Sequence, residues 1–264
     1  MHIPRKRFGQ NFLHDESIIQ TILSSIQVKA NEHWVEIGPG QGALTSPLLT
    51  MGVRLDLVEL DRDLVALLKN KFKQLAGLRI HSADALKFDF SSLVEDNEKM
   101  RILGNLPYNI STPLMFHLLS YASCISDMHF MLQKEVVDRI CAGPGSKKYG
   151  RLSVMMQYYC AVEPLFDVPP ESFDPAPKVM SSIIKLVPHL QSPVQVKNVS
   201  SLNRLVTQAF SQRRKTLRNS LKKLITEDEF TISKIDPTIR AEELSLSDFA
   251  KLSNLMQAGL DPVL

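Results

Sequence analysis

The stretch Trp34-Val35-Glu36-Ile37-Gly38-Pro39-Gly40-Gln41-Gly42 decides how this chain is read. A short apolar run closed by tightly spaced glycines is a buried strand entering a turn, and the helical pattern from Ala43 completes a strand–turn–helix unit of the nucleotide-binding kind. The glycines do not keep G-x-G-x-x-G spacing, and Pro39 stiffens the loop, so the dinucleotide fingerprint is not met. Glu36 argues the same way. A carboxylate beside the turn repels a diphosphate but suits a cation such as an amino-acid ammonium.

Working outward, the same unit recurs. A second apolar strand, Val53 to Leu60, carries Glu59 at its end, nineteen residues after Gly40, where a carboxylate can take both hydroxyls of a ribose. A third, Leu78 to Ala83, ends in Asp84, and a fourth, Met100 to Gly104, ends in Asn105. Helical patterns separate them at Leu44 to Thr50, Asp63 to Leu75 and Leu86 to Glu95. Strands alternating with helices predict an open, mostly parallel sheet, in which ligands lie outside the carboxyl ends of the strands. Glu36 with Gly38, Glu59, Asp84 and Asn105 would then share one crevice, although each carboxylate taken alone also reads as a helix cap or a solvated charge.

The fourth strand runs into Asn105-Leu106-Pro107-Tyr108. An amide oxygen and a backbone carbonyl at one point are two acceptors for the hydrogens of an exocyclic base amine, whose lone pair is otherwise delocalised into the ring. Pro107 fixes its own φ and offers no competing N–H. Tyr108 adds a stacking surface worth about 1–3 kcal/mol to an unstacked base. By itself the tetrapeptide also reads as a strand-ending turn.

Taken together, Arg7-Phe8-Gly9-Gln10-Asn11-Phe12-Leu13, the Glu36 to Gly42 loop, Glu59, Asp84-Ala85, Asn105 to Tyr108, Phe173-Asp174-Pro175-Ala176-Pro177-Lys178-Val179 and the helix with Phe210, Arg213, Arg214, Lys215, Leu217 and Arg218 resemble the ribosomal RNA adenine dimethyltransferases, specifically the bacterial small-subunit branch. The resemblance runs nearly the full length. It implies an α/β fold: a Rossmann-like, S-adenosylmethionine-dependent methyltransferase domain with a doubly wound, mostly parallel sheet, followed by a small all-helical domain. It also implies that Gln10, Asn11, Leu13, Glu36, Gly38, Gly40, Glu59, Leu60, Asp84, Ala85 and Asn105 hold S-adenosyl-L-methionine. Glu59 would take the ribose and Asp84 the adenine amine. Asn105, Leu106, Tyr108 and Phe173 would form the pocket for the target adenine, Phe173 closing the face opposite Tyr108; without the resemblance Phe173 is an ordinary core aromatic. The implied substrate is a pair of adjacent adenosines near the 3′ end of 16S rRNA in a 30S precursor, with a part in small-subunit assembly. The large-subunit adenine methyltransferases of antibiotic resistance share the cofactor and amine motifs, but the Phe173 and Phe210 segments favour the small-subunit branch. DNA adenine enzymes usually begin the tetrapeptide with Asp. A non-catalytic assembly or transcription factor on the same fold is the remaining alternative.

Length and composition suit such an enzyme. The 264 residues exceed a usual single domain. Prolines at 164, 169, 170, 175, 177, 188 and 193 place a boundary near residue 188, giving domains 1–188 and 189–264. Beyond it, Leu202, Leu205, Ala209, Phe210, Leu217, Leu221 and Leu224 form an apolar stripe at helical spacing. Net charge is only +3, yet Lys197 to Lys223 holds eight basic residues and no acid. There Arg214, Arg218 and Lys222 recur at i, i+4 and i+8 as a cationic ridge. With Arg213, Lys215, Lys223, Lys178 and the N-terminal Arg5, Lys6 and Arg7, they are candidate phosphate contacts, or else a solvated helix face. Cys124, Cys141 and Cys160 lack zinc-site spacing, and no H-x-E with P-C-x-x-C occurs, which excludes a zinc deaminase. No metal, no membrane span and a cytoplasmic monomer are expected.

The charge pattern carries a test. Arg214→Ala with Arg218→Ala is expected to lower RNA affinity and to flatten its salt dependence, with the cofactor constant unchanged. An unchanged salt slope, read by titration between 50 and 200 mM salt, would refute the phosphate assignment.

Overall fold

The computed structural model describes residues 10–73, 75, 77–107 and 109–256. Arg5, Lys6, Arg7 and Tyr108 lie outside them.

The sheet follows from buried apolar runs. Strands β2 (His33–Ile37), β3 (Arg54–Glu59), β4 (Leu78–Ser82), β5 (Met100–Asn105), β6 (Ile125–Gln133), β7 (Cys160–Val168) and β9 (Ser181–Pro188) make one seven-stranded sheet in the order β4-β3-β2-β5-β6-β9-β7. The pairs from β4 to β6 are parallel, and β9 runs antiparallel to β6. Trp34, Val35, Leu55, Leu57, Ile102 and Leu103 are almost wholly buried, as central parallel strands require. A two-stranded ladder of β1 (Phe12–Leu13) and β8 (Phe173–Asp174) stands apart from the sheet, pairing Phe12 with Asp174 and Leu13 with Phe173.

Helices connect the strands. Helix α1 (Glu16–Ile26) starts where Asp15 accepts the Ser17 and Ile18 N–H groups, and it buries Ile19, Ile22, Leu23 and Ile26. Then come α2 (Thr45–Thr50), α3 (Arg62–Lys71), α4 (Ser111–Leu119), α5 (Lys134–Cys141) and α6 (Arg151–Tyr159). The pattern over Leu86 to Glu95 does not make an α-helix. Asp84 and Asp89 turn their side chains onto local N–H groups instead, and a short 3₁₀ turn at Phe90–Leu93 is all that forms. Likewise α3 stops at Lys71, short of Leu75.

By contacts the chain forms two units, one of residues 1–137 with 163–188 and the other of 138–162 with 189–264. The proline-based reading did not anticipate that residues 138–162, with α6, group with the C-terminal helices. In the second unit α6 packs against α7 (Val199–Phe210) and α10 (Leu246–Leu255), and α7 also contacts α8 (Leu217–Leu221). Helix α9 (Glu227–Ser233) packs on α10. The rings of Tyr149, Phe210 and Phe249 form a chain of contacts with centroids 6.0 and 5.7 Å apart. The basic segment is not one helix: α7 ends at Phe210, and the N–H groups of Leu217 and Arg218 bond to Ile239 and Pro237 carbonyls, so the 3.6-residue register breaks between them. Arg214, Arg218 and Lys222 therefore do not form a helical ridge, and Leu224 lies outside α8.

Two buried charge clusters brace the amino ends of the strands. Asp56 accepts from His33, Arg79 and His81 at 2.7, 2.7 and 2.6 Å; burial would raise its carboxyl, but these bonds hold it at about 2. Arg101 bonds Glu32, Asp127 and the Ile26 and Gln27 carbonyls, and lies 4.2 Å over the Trp34 ring. Beside it His129 is fully buried, and neither ring nitrogen has a hydrogen-bond partner among the described residues. Burial pushes its imidazole down to about 4; Asp127 opposes that push, and the positive charges of Arg101 and Lys185 add to it.

A depressed histidine stabilises the folded state least in acid: below about 6.5 the unfolded chain takes a proton that the folded chain refuses until about 4. His129→Leu is expected to gain stability over wild type as pH falls from about 6.5 to 4, on the order of 3 kcal/mol at the bottom of that window. Glu36 titrates with the opposite sign nearby, so the measurement is the difference between the two denaturant curves at each pH. A constant difference would show that His129 takes up its proton in the fold as readily as in the unfolded chain.

Candidate active site

The strand order reverses at β2, from which the chain runs outward through β3 and β4 on one side and then returns to place β5 on the other, and the crevice opens at the carboxyl ends. Close approach of β2 and β5 depends on Gly104, where a Cβ would stand 2.8 Å from the Ile37 carbonyl. The loop after β2 turns through Gly38 and Gly40 at φ of +65° and +57°. Gly40 faces the Phe12 ring so closely that a Cβ would meet it at 2.9 Å.

A cavity of about 300 Å³ lies at these ends. Gln10, Asn11, Leu13, Glu36, Gly38, Gly40, Glu59, Leu60, Asp84, Ala85, Asn105, Leu106 and Phe173 all line it. The strand ends read from the sequence thus meet in one place, together with the β1–β8 ladder that brings Phe173 beside Leu13. The described basic candidates lie elsewhere. Lys178, Arg214, Lys215, Lys222 and Lys223 are exposed, whereas Arg213 donates to the Lys147 and Tyr149 carbonyls and Arg218 is paired with Glu227 at 2.8 Å.

The carboxylates differ in what their oxygens already hold. Glu36 accepts the Thr45 hydroxyl at 2.5 Å, and burial, with Glu59 nearby, raises its carboxyl to about 7. Glu59 accepts the Gly40 N–H at 3.4 Å on one oxygen and the Asp61 N–H at 2.9 Å on the other; burial raises it too. A carboxylate has about four lone-pair sites, so Glu59 keeps acceptor capacity for two hydroxyls. Asp84 gives one oxygen to the Leu86 N–H at 3.0 Å. Leu60, apolar but half exposed, forms part of the wall.

Asn105 is oriented from the other side. Its Nδ2 donates to the Asn11 backbone carbonyl at 3.0 Å, and only the NH₂ end of an amide can make that bond, so Oδ1 is left as the acceptor end. Leu106 is held by its N–H to the Met131 carbonyl, and the Pro107 carbonyl accepts from Ile110 and Ser111 at the start of α4. The sequence reading missed Phe12, Leu44, Asp61, Asn109 and Ile110. Phe12, Leu44, Asn109 and Ile110 line the cavity, and Asp61, 2% exposed, supports it from behind. Phe12 sits inside a quoted motif and Asp61 follows Glu59 by two residues, but their roles depend on long-range packing that no local pattern displays.

The sequence matches the family described as ribosomal RNA adenine dimethylase over residues 1–258. It is 56% identical over 253 residues to the ribosomal RNA small subunit methyltransferase A of Marinomonas sp., covering 96% of this chain and 95% of that one. The Pseudomonas aeruginosa protein of the same name is 55% identical, covering 96% and 94%. Among solved structures, a dimethyladenosine transferase from Plasmodium falciparum superposes with a TM-score of 0.74 at 26% identity, covering 91% and 95% of the two chains. The 23S rRNA methyltransferase ErmE superposes at 0.70 with 22% identity, covering 92% and 98%, a likeness of fold.

Gly40→Ala places a methyl group in the left-handed region and against Phe12, and is expected to lower stability by about 1–2 kcal/mol and to weaken cofactor binding. Gly143→Ala, with nothing within 4 Å of the added carbon, is the matched control. Equal thermal melting of the two variants would show that the Gly40 turn is under no steric constraint.

Proposed function

The chain belongs to the ribosomal RNA adenine dimethylase family, and on that premise we infer that it is an S-adenosylmethionine-dependent rRNA adenine dimethyltransferase of the small ribosomal subunit. Its substrate is the exocyclic amine of two adjacent adenosines near the 3′ end of 16S rRNA, presented by a 30S precursor, and its work belongs to small-subunit assembly in the cytoplasm. The observation that carries the catalytic reading is the Asn105 amide, whose nitrogen is committed to Asn11 and whose oxygen is thereby left to accept.

The residues fit the cofactor. Buried carboxylates at Glu36 and Glu59 favour a ligand that brings positive charge, and the Gly40 cradle would be filled by any Cβ. Glu59 would accept the ribose hydroxyls on its remaining lone pairs, Asp84 would accept the adenine amine on its second oxygen, and Leu60 would supply apolar wall for the adenine ring. Glu36 stands where the ammonium of the methionine part would lie, and at about 7 its carboxyl ionises readily when a cation arrives. The bound cofactor supplies a methyl group on a sulfonium.

For the base, Asn105 Oδ1 and the Leu106 carbonyl accept the two amine hydrogens and draw the nitrogen lone pair out of conjugation. Phe173 presents one face of the pocket, and Tyr108 is proposed for the other. The protein's part is to hold that nitrogen, freed of conjugation, in position as the nucleophile. Methylation acidifies the amine, so its proton leaves to water and Asn105 need not act as a base. Lys178, Arg214, Lys215, Lys222 and Lys223 are proposed contacts to rRNA phosphates, with Arg5, Lys6 and Arg7. We infer a monomer.

Labelled methyl transfer to small subunits lacking the modification, with large subunits in parallel, tests this reading. Dimethyladenosine confined to the small subunit is expected. Asn105→Ala should lower kcat at least about 100-fold, as for loss of one preorganised polar contact to a reacting group, with subunit binding retained. Intact turnover in that variant would overturn the mechanism, and binding of cofactor and subunit without transfer by the wild type would make the protein a binding factor.

A further inference from the structure

We propose that Asp61 is a positioning residue for this reaction, fixing through Gln10 the backbone carbonyl that aims the Asn105 amide; the proposal rests on the transfer reading above. Asp61 is 2% exposed and follows the half-exposed Leu60 directly. All four of its polar atoms are used, the backbone carbonyl accepting the Val65 N–H at 2.9 Å in the first turn of α3. Its N–H donates to Glu59 Oε1 at 2.9 Å, its Oδ1 accepts the Asp63 N–H at 3.0 Å as the cap of α3, and its Oδ2 accepts Gln10 Nε2 at 3.2 Å.

Capping alone does not account for a carboxylate here. A cap needs one acceptor oxygen, which Asn, Ser or Thr supplies equally well without an ionised group in a buried place. The second oxygen is the distinguishing feature, and it reaches across 51 positions of sequence to Gln10. The negative charge also stands next to Glu59, where it works against that residue's ionisation.

The role follows from the path of the chain. Gln10 is tied to Asp61, Asn11 gives its carbonyl to Asn105 at 3.0 Å, and Phe12 and Leu13 pair with Asp174 and Phe173. The stretch is pinned at both ends, by Asp61 on one side and by the ladder on the other. The carbonyl that aims Asn105 lies between the pins. Releasing the Asp61 end lets the Gln10–Asn11 peptide rotate, and the Asn105 amide then loses the contact that presents Oδ1 to the target amine. Because Asp61 also holds Glu59 through its N–H, one residue links the ribose carboxylate to the amide that accepts the base.

An exchange of the two side chains tests the tie, since the cap of α3 survives in every variant. Gln10→Glu sets two carboxylates face to face and is expected to lower kcat by about 10-fold or more, to raise KM for S-adenosylmethionine and to lower the melting temperature. Gln10→Glu combined with Asp61→Asn restores an amide–carboxylate pair in reverse and is expected to recover kcat to within about 3-fold of wild type. Should Gln10→Glu not fold, Gln10→Met removes the bond without adding charge and is expected to show the same loss. Wild-type kinetics in the single variant, or no recovery in the exchanged pair, would overturn the role of Asp61. Absence of transfer by the wild-type protein would instead overturn the functional reading.

Discussion

Parallel pairing of β2 with β3 on one side and β5 on the other is the constraint on which the rest depends. It sets three carboxyl ends side by side, and the residues that follow them have no choice but to face one crevice. The closeness of β5 to β2 is itself set by a missing side chain, since Gly104 leaves room for the Ile37 carbonyl. Glu36, Glu59 and Asn105 sit within one residue of these ends, and Asp84 follows β4, the strand paired to β3, by two. The cavity is a product of topology first and of side-chain choice second.

Within that frame the electrostatics are organised by what each carboxylate already binds. Glu36, Glu59 and Asp61 are all buried, and their mutual repulsion would be hard to sustain without hydrogen bonds from Thr45, Gly40, Asp61 and Gln10. Those bonds hold the oxygens in place and leave Glu36 and Glu59 as carboxylates lining the cavity. The cofactor proposed above, with a sulfonium and an ammonium, suits such a lining. At the opposite ends of the strands the clusters around Asp56 and Arg101 close on themselves, Asp56 with Arg79 and two histidines and Arg101 between Glu32 and Asp127, and they hold strands together.

Four of the seven strands, β2 to β5, were legible in the sequence because each is a mainly apolar run closed by Gly38, Glu59, Asp84 or Asn105, whereas β6, β7 and β9 carried no such closing signal and were not read. The residues at those four ends were legible as candidates for the same reason. Helix periodicity was less reliable: Leu86 to Glu95 and Arg214 to Lys222 both keep helical spacing, yet in the first Asp89 competes for backbone donors, and in the second the 237–240 segment takes them. Asn11 was legible as a motif residue, but its working atom is a backbone carbonyl, which has no letter in the sequence. Asp61 and His129 depend on what packs against them from distant positions, and neither sits in a pattern of its own.

The second unit is assembled from two separated stretches, and this bears on how the protein is made. Helix α6 buries Leu152, Val154, Met155 and Met156, but its partners α7 and α10 are encoded later. At about 5–20 residues per second, synthesis from Tyr159 to Val199 takes roughly 2–8 s, and α10 follows later still. For that interval a nascent helix carries an apolar face whose partners in its own unit do not yet exist. The parallel strands β2 to β5 are complete before the helix emerges. The order of birth is therefore the strand ends of the crevice first, α6 next, and Phe173 and the remaining helices last, with α6 the segment most in need of shelter on the ribosome that makes it.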